Sequence, residues 1–285
     1  MSFQVPKLAK LSSGHYIPTV GLGTWAIPNN IASEVVYNAL KVGYRHFDSA
    51  VLYDNEKEVS EGILKWIDEN PSANKRQEVF YTTKLWNDEC GYHNAKRAIK
   101  RCYKRVERLG YIDLLLIHSP LCGPKERLET WRAMQEAVDE GIVKSIGISN
   151  YGARHIEELL RWDKLKYKPA VNQIEISPWI MRQELADFCR SQDILVEAYA
   201  PLNHGGRFKD KTLVKIARKH NVSTTQVLVR WSLQHGNIPL PKTSKIERLE
   251  SNLDVFGFEL SPEEVREIDQ PNAYEPSDWE CTNAP

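Results

Sequence analysis

The stretch Gly43-Tyr44-Arg45-His46-Phe47-Asp48-Ser49-Ala50-Val51-Leu52-Tyr53 predicts the end of a helix, a short apolar strand and a polar loop in succession. Gly43 suits the position just after a helix, because glycine adopts the left-handed backbone conformation without steric cost. Residues 45–48 predict a short strand that ends at Asp48, and Tyr53 follows in the loop before another helical pattern. In parallel α/β folds, the carboxyl ends of strands carry the chemistry. Asp48 and Tyr53 are therefore candidate site residues, although a helix cap and a solvent-exposed aromatic remain open interpretations.

Short apolar runs alternate with helical patterns along the rest of the chain. Eight strands are predicted, near Leu22 and at 45–48, 79–84, 112–117, 144–149, 170–174, 195–200 and 238–242. Eight such repeats favour a (β/α)8 TIM barrel over an open α/β sheet. Residues 8–18 predict a β-hairpin ahead of the barrel, and the helical patterns at 210–220 and 262–270 are two extra helices. No Gly/Ser/Pro-rich linker divides the chain, so we predict one domain over residues 1–285.

Composition excludes several functional classes. Lys+Arg and Asp+Glu both number 38, so the zero net charge gives no field to attract nucleic acid or an anionic membrane. No apolar run approaches the roughly 20 residues that cross a bilayer, and residues 1–7 lack the apolar core of a signal peptide. The five cysteines form no CxxC pair and predict reduced packing thiols. We expect a cytoplasmic protein and a monomer.

A glycine-rich segment raises the alternative of a dinucleotide-binding Rossmann domain. Gly21-Leu22-Gly23-Thr24-Trp25-Ala26 matches G-x-G-x-x-A, and Asp48 follows at about the expected distance. That fingerprint requires its third small residue inside a helix packed on the strand. Pro28-Asn29-Asn30 interrupts the chain before any helix begins, so we reject this interpretation.

Polar side chains also stand at other predicted strand ends. Lys84 ends the third strand, His118 follows the fourth, and Gln173 lies in the sixth. A free tyrosine has a pKa of about 10, too high for an efficient acid near neutrality. A neighbouring lysine would lower that pKa, and an aspartate would hold the lysine in place. With a histidine to orient a carbonyl oxygen, these residues predict proton delivery to a carbonyl group.

Three longer motifs carry a family resemblance. They are residues 43–53 followed by Asn55-Glu56; Lys144-Ser145-Ile146-Gly147-Ile148-Ser149-Asn150-Tyr151; and Leu240-Pro241-Lys242-Thr243 continuing through Arg248 to Ser251-Asn252. With these motifs the chain resembles the aldo-keto reductase superfamily along nearly its whole length, and most closely the short fungal carbonyl and aldehyde reductases. Ser60 departs from the first motif, which usually has glycine there, and we expect the change to affect helix packing alone.

The resemblance implies roles for individual residues. The catalytic residues would be Asp48, Tyr53, Lys84 and His118, with Tyr53 as the general acid. The cofactor would be NADPH, held by Gly23, Thr24, Trp25, Asp48, Ser149, Asn150, Gln173, Tyr199, Ala200, Pro201, Leu202, Lys242, Thr243, Ser244, Arg248, Ser251 and Asn252. The substrate pocket would be formed by Trp25, Leu52, Tyr53, Trp86, His118 and Ser119.

These residues together predict an NADPH-dependent reductase of small aldehydes and ketones. The small Ser119 and the short loop at 119–126 predict an open pocket with broad specificity. One alternative is a non-catalytic NADPH-binding regulatory subunit of the same fold, which turnover would distinguish. Another is a barrel glycosidase, but that reaction requires two carboxylates flanking a bond, and Asp48 alone stands out on this rim.

Overall fold

A computed structural model of the chain describes residues 5–285. The prediction that the start lacks a signal peptide falls largely on residues 1–4, which lie outside the described residues. The chain begins with an antiparallel hairpin of β1 (Leu8–Lys10) and β2 (Tyr16–Pro18). Ile17 is fully buried against strand residues such as Phe80 and Leu114. The predicted hairpin is thus confirmed, and it covers one end of the sheet that follows.

Eight parallel strands form that sheet in sequential order. They are β3 (Leu22–Gly23), β4 (His46–Asp48), β5 (Phe80–Leu85), β6 (Ile112–Ile117), β7 (Val143–Ser149), β8 (Val171–Glu175), β9 (Leu195–Tyr199) and β10 (Ile238–Pro239). The first and last strands meet through a parallel bridge between Gly23 and Lys242. The amide of Gly21 also donates to the Pro239 carbonyl at 3.1 Å. The predicted (β/α)8 fold is confirmed.

Close packing explains the glycines that mimic a dinucleotide fingerprint. A Cβ on Gly21 would lie 2.6 Å from the side chain of Leu240 and 2.7 Å from that of His46. Real Cβ atoms do not approach so closely, so this position requires glycine for barrel closure. The motif therefore reflects the contact between the first and last strands.

Helices surround the sheet and connect its strands. Within the described residues they are α1 (Asn29–Lys41), α2 (Glu56–Glu69), α3 (Tyr92–Val106), α4 (Pro124–Asp139), α5 (Ala153–Leu160), α6 (Gln183–Ser191), α7 (Lys211–His220), α8 (Thr224–Gln234), α9 (Leu249–Leu253) and α10 (Pro262–Ile268). The two predicted extra helices are α7 and α10. The apolar side chains of α3 are buried, and Ala95, Ile99 and Cys102 face the core. None of the helices in residues 5–285 has the length and apolarity to cross a bilayer.

The cysteines differ from the sequence-based prediction. Cys90 and Cys122 form a disulfide with their Cα atoms 6.1 Å apart, whereas Cys102, Cys189 and Cys281 are free and buried. The prediction of reduced thiols is therefore wrong for one pair. Cys90 follows β5 and Cys122 follows β6, so the pairing depends on two loops that become neighbours when β5 and β6 pair.

Candidate active site

The carboxyl ends of adjacent strands bring four of the predicted residues together. Asp48 is the last residue of β4, Lys84 lies near the end of β5, and His118 directly follows β6. Tyr53 lies in a 3₁₀ turn (Val51–Tyr53) just beyond β4. The register that pairs Asp48 with Thr82 places these strand ends side by side.

Lys84 is the centre of the hydrogen-bond network. Its Nζ donates to Asp48 Oδ2 at 2.7 Å, to the Ser49 carbonyl at 2.9 Å and to the Tyr53 hydroxyl at 3.2 Å. The side chain is fully buried. An ammonium group has three donors, so each of them has a partner and the lysine is fixed against the phenol.

Burial sets the protonation states in the site. It raises the pKa of the Tyr53 phenol, and the nearby Lys84 charge lowers that pKa without cancelling the effect. The predicted lowering of the Tyr53 pKa by Lys84 is present, but burial outweighs it, so the pKa of Tyr53 lies above its ordinary value. Burial alone would lower the pKa of Lys84, but Asp48 and Tyr53 outweigh burial and raise it. At neutral pH Tyr53 keeps its proton and Lys84 its charge.

His118 is a neutral imidazole beside the phenol. Burial, followed by the Lys84 charge, lowers the pKa of His118 well below its usual range. Its ring packs edge-on against Tyr53, with the centroids 5.8 Å apart, and against Trp86 at 5.1 Å. Its Nδ1 has no hydrogen-bond partner within residues 5–285. Because the uncharged ring also lines the cavity described below, it can offer a hydrogen bond to a ligand there.

Amide side chains connect the site to the interior of the barrel. The amide nitrogen of Gln173 donates to Asp48 Oδ1 and to Glu197 Oε2, both at 2.9 Å. Glu197 is fully buried and lies 3.3 Å from His46 Nε2. Glu197 was not among the predicted site residues, although a carboxylate inside an apolar strand is a signal that the sequence offers. Tyr199 Oη donates to Asn150 Oδ1 at 2.9 Å and completes the wall of the site.

One cavity of about 850 Å³ includes most of the predicted site residues. Its wall includes Gly23, Trp25, Asp48, Leu52, Tyr53, Trp86, His118, Ser149, Asn150, Gln173, Tyr199, Ala200, Pro201, Leu202, Lys242, Thr243, Ser244, Arg248, Ser251 and Asn252. Lys84 lies behind Asp48 and Tyr53, within bonding distance of both.

Besides Lys84, two predicted residues do not line this cavity. Ser119 is buried and donates to Asn87 Oδ1 at 2.6 Å. Thr24 is buried and donates to the Asp48 carbonyl at 2.8 Å. Their hydroxyl groups are used inside the protein, so the structure gives Ser119 no place in the substrate pocket and Thr24 none in direct ligand contact. Thr24 instead supports the backbone beneath Asp48.

A second part of the cavity wall is positively charged. Lys242, Lys245 and Arg248 line it, and the side-chain nitrogens of these three form neither an ion pair nor a hydrogen bond within residues 5–285. Thr243 and Ser244 add hydroxyl groups to the same segment. Cations without a protein counter-ion, next to hydroxyl donors, suit a phosphate group.

The C-terminal tail supplies wall residues that the sequence analysis missed. The Trp279 ring lies 5.4 Å from Trp86 and 5.9 Å from His118, and Asp278 also lines the cavity. His204 and Phe208, from the loop after β9, line it as well. The tail has neither helical nor strand periodicity, so its aromatic residue is the one sequence signal for this role.

Comparison with known proteins agrees with this geometry. Residues 19–273 match the model of the Aldo/keto reductase family. The chain is 62% identical over 281 residues to an uncharacterized oxidoreductase of Saccharomyces cerevisiae, covering 99% of this chain and all of that protein. It is 41% identical over 264 residues to glyoxal reductase of Bacillus subtilis, covering 92% of each.

Solved structures support the same assignment. An aldo-keto reductase from a Medee basin deep-sea metagenome has a TM-score of 0.88 and 36% identity, covering 98% of this chain and 99% of that one. An aldose reductase from Schistosoma japonicum has a TM-score of 0.87 and 35% identity, covering 93% and 91%. The chain therefore belongs to the aldo/keto reductase family of oxidoreductases.

Proposed function

We propose that this protein reduces aldehydes and ketones to alcohols with NADPH, and that Tyr53 donates the proton. The observation that carries the proposal is the composition of one cavity. It contains the phenol of Tyr53, backed by Lys84 and Asp48, and also three cations that lack a protein counter-ion. The phenol with Lys84 and Asp48 can deliver a proton to a carbonyl oxygen, and the three cations can bind the phosphates of a dinucleotide. Similarity to a glyoxal reductase supports carbonyl reduction.

The residues of the cavity fit NADPH. Arg248 would bind the adenosine 2′-phosphate together with Lys242, because a guanidinium pairs with phosphate oxygens and also stacks on flat rings. Thr243, Ser244, Ser251 and Asn252 would complete that end of the site. Among the described residues, no acidic side chain lines the part of the cavity wall formed by residues 242–252. The 2′-hydroxyl of NADH would therefore have no carboxylate to bind there.

Other residues of the same cavity fit the nicotinamide end of NADPH. The Tyr199 ring would stack on the nicotinamide, with Ala200, Pro201 and Leu202 beside it. Ser149, Asn150 and Gln173 would hold the carboxamide. Both hydrogen bonds of the Gln173 side chain use its nitrogen, so its oxygen remains to accept from an amide N–H. Gly23 and Trp25 would line the remaining wall.

The bound cofactor would supply the hydride. Side chains of the protein would supply the proton and stabilise the charges that develop. As the carbonyl oxygen gains negative charge, Tyr53 transfers its proton to that oxygen. The Lys84 ammonium, 3.2 Å from the phenol oxygen, stabilises the phenolate that remains. Asp48 holds Lys84 in position, and neutral His118 would orient the substrate oxygen by a hydrogen bond.

The substrate pocket is largely apolar. Trp25, Leu52, Trp86 and Trp279 surround Tyr53 and His118. Apolar walls exclude water and hold a carbonyl carbon, but a single hydrophobic contact provides only about 1–3 kcal/mol of selectivity. We therefore propose activity on several classes of carbonyl compound with weak apparent affinity.

A substrate panel tests this function. Purified protein is mixed with NADPH or NADH and with aldehydes, α-keto esters or diketones, and loss of reduced-cofactor absorbance is followed. We expect several substrates to oxidise NADPH, and NADH to react far more slowly; a reaction without carbonyl compound is the control. NADPH binding without turnover of any substrate would favour the regulatory-subunit alternative.

We also propose that the protein acts as a single-domain monomer in the cytoplasm, with small carbonyl compounds as its ligands. The zero net charge gives no field to attract nucleic acid or an anionic membrane, which supports small molecules as the ligands. Light scattering coupled to size-exclusion chromatography tests the monomer, with a mass near 32.8 kDa expected. A dimer mass would contradict it.

A further inference from the structure

One carboxylate on the cavity wall has no part in the reaction described above. Asp278 lines the cavity, next to Trp279, whose ring packs against Trp86 and His118. The backbone around it is anchored, because the amides of Ser277 and Asp278 donate to the Glu175 carboxylate at 2.7 and 3.3 Å. The tail thus holds Asp278 in place beside the substrate pocket.

The charge of Asp278 acts on the groups around the reacting carbonyl. Burial is the main cause that raises the pKa of Tyr53, and the Asp278 carboxylate adds to it. Burial and Glu175 raise the pKa of Tyr199, and Asp278 again acts in the same direction. Asp278 therefore contributes negative potential on both sides of the place where a substrate would meet the cofactor.

Little positive charge is left to balance Asp278. Of the cations that line the cavity within residues 5–285, Lys242, Lys245 and Arg248 belong to the segment assigned to the cofactor phosphate. Lys84 is already paired with Asp48. Among the described residues, the one basic group in contact with Asp278 is His204, whose Nε2 lies 3.2 Å from Asp278 Oδ2 and whose side chain is half exposed.

We propose that Asp278 is a specificity-determining residue that selects neutral and cationic carbonyl substrates against those bearing a carboxylate; this inference rests on the proposed function. Within residues 5–285, the apolar pocket walls around Tyr53 offer no unpaired cation to a substrate carboxylate, and Asp278 repels it. At the separations and effective dielectric constant of a partly solvated cleft, one such repulsion corresponds to roughly a tenfold change in kcat/KM.

Three benzaldehydes of similar shape test the proposal. They carry, opposite the aldehyde, a carboxylate, its methyl ester or a trimethylammonium group. With wild-type protein at neutral pH we expect kcat/KM to be lowest for the carboxylate by about tenfold or more. Asp278→Asn should raise the value for the carboxylate relative to the ester about fivefold or more, and lower the value for the cation relative to the ester.

Asp278→Asn is expected to change kcat/KM in opposite directions for the anionic and the cationic aldehyde. An effect of the substitution on packing would not depend on the sign of the substrate charge, so this result identifies an effect of charge. Glu275→Gln is the matched control, because Glu275 lies in the same tail and pairs with Arg207 but does not line the cavity; it should leave both ratios unchanged. Should Asp278→Asn fail to fold, added salt provides the same test on wild type, since screening should narrow the ratio between anion and ester.

Several results would overturn the inference. One is an Asp278→Asn protein whose ratios equal those of wild type, and another is a wild-type ratio that is insensitive to salt. A wild type that prefers the carboxylate would also overturn it. Failure of wild type to oxidise NADPH with any of the three aldehydes is a different result, because it would refute the proposed function itself.

Discussion

At the residue scale, the pair of Lys84 and Asp48 fixes the geometry of the candidate site behind Tyr53. A buried charge without a partner costs several kcal/mol, and the fully buried Lys84 avoids this by donating to three oxygens. Chain order was enough to predict that Asp48, Lys84 and His118 stand at strand ends. The sequence could not show that Ser119 turns toward Asn87, because that choice depends on a loop from a different strand.

The cationic segment gives a prediction about cofactor choice. Arg248 lines the cavity, and its guanidinium has no ion-pair or hydrogen-bond partner in the described chain, so it is free to pair with the 2′-phosphate. Charge-assisted hydrogen bonds contribute about 1.5–3 kcal/mol each. Arg248→Ala should therefore raise the Kd for NADPH roughly ten- to a hundredfold and leave that for NADH nearly unchanged, as measured by quenching of protein fluorescence.

A matched control for that experiment is Arg266→Ala. Arg266 is an exposed arginine on α10 that pairs with Glu263 and does not line the cavity. Its removal should change neither Kd. Equal weakening of NADPH and NADH by Arg248→Ala would show that the phosphate site lies elsewhere.

At the element scale, the C-terminal tail is the segment that sequence patterns could not place. Its attachment depends on Arg182, which donates to Glu280 Oε2 and, at 3.1 Å, to Thr282 Oγ1. Arg182 itself bonds the Glu175 carbonyl at the end of β8 at 3.0 Å. These are long-range polar contacts without periodicity. Helices and strands, by contrast, follow from periodic apolar residues, which is why they could be predicted.

The tail provides a prediction about pH and stability. Burial alone would raise the pKa of Glu280. Hydrogen bonds from Thr282, Tyr274 and Arg182 outweigh burial and lower the pKa to about 2. Because this folded-state pKa is below the unfolded value of 4.5, the stabilisation is complete above pH 4.5 and is lost as the pH falls toward 2. Glu280→Gln should cost ~1 kcal/mol at neutral pH, after allowance for partial exposure.

Urea unfolding at neutral pH and near pH 2 measures this difference. The difference in free energy of unfolding between wild type and Glu280→Gln should shrink at the lower pH. The control Glu263→Gln, an exposed change on α10, should have little effect on the free energy of unfolding at neutral pH. Because Trp279 adjoins Glu280, the variant should also raise KM for carbonyl substrates more than the Kd of NADPH. A gap that stays constant with pH would contradict this role for Glu280.

At the scale of the whole molecule, the barrel was largely predictable and its closure was not. Eight apolar runs correspond to β3–β10, and most of their ends agree within a few residues. The last run shortens to Ile238–Pro239, because Pro239 and Pro241 have no N–H to extend the ladder. The disulfide between Cys90 and Cys122 was missed, since only the folded chain brings their loops together. The single domain stays a prediction.

The proposed function depends most directly on Tyr53 as the proton donor in an NADPH-dependent carbonyl reduction. The most direct test compares wild type with Tyr53→Phe in two measurements, kcat with an aldehyde and the Kd of NADPH. Removal of a general acid typically costs about 10²-fold or more, so we expect kcat to fall by that factor while the Kd stays nearly the same. A variant that keeps most of its activity would contradict the claim.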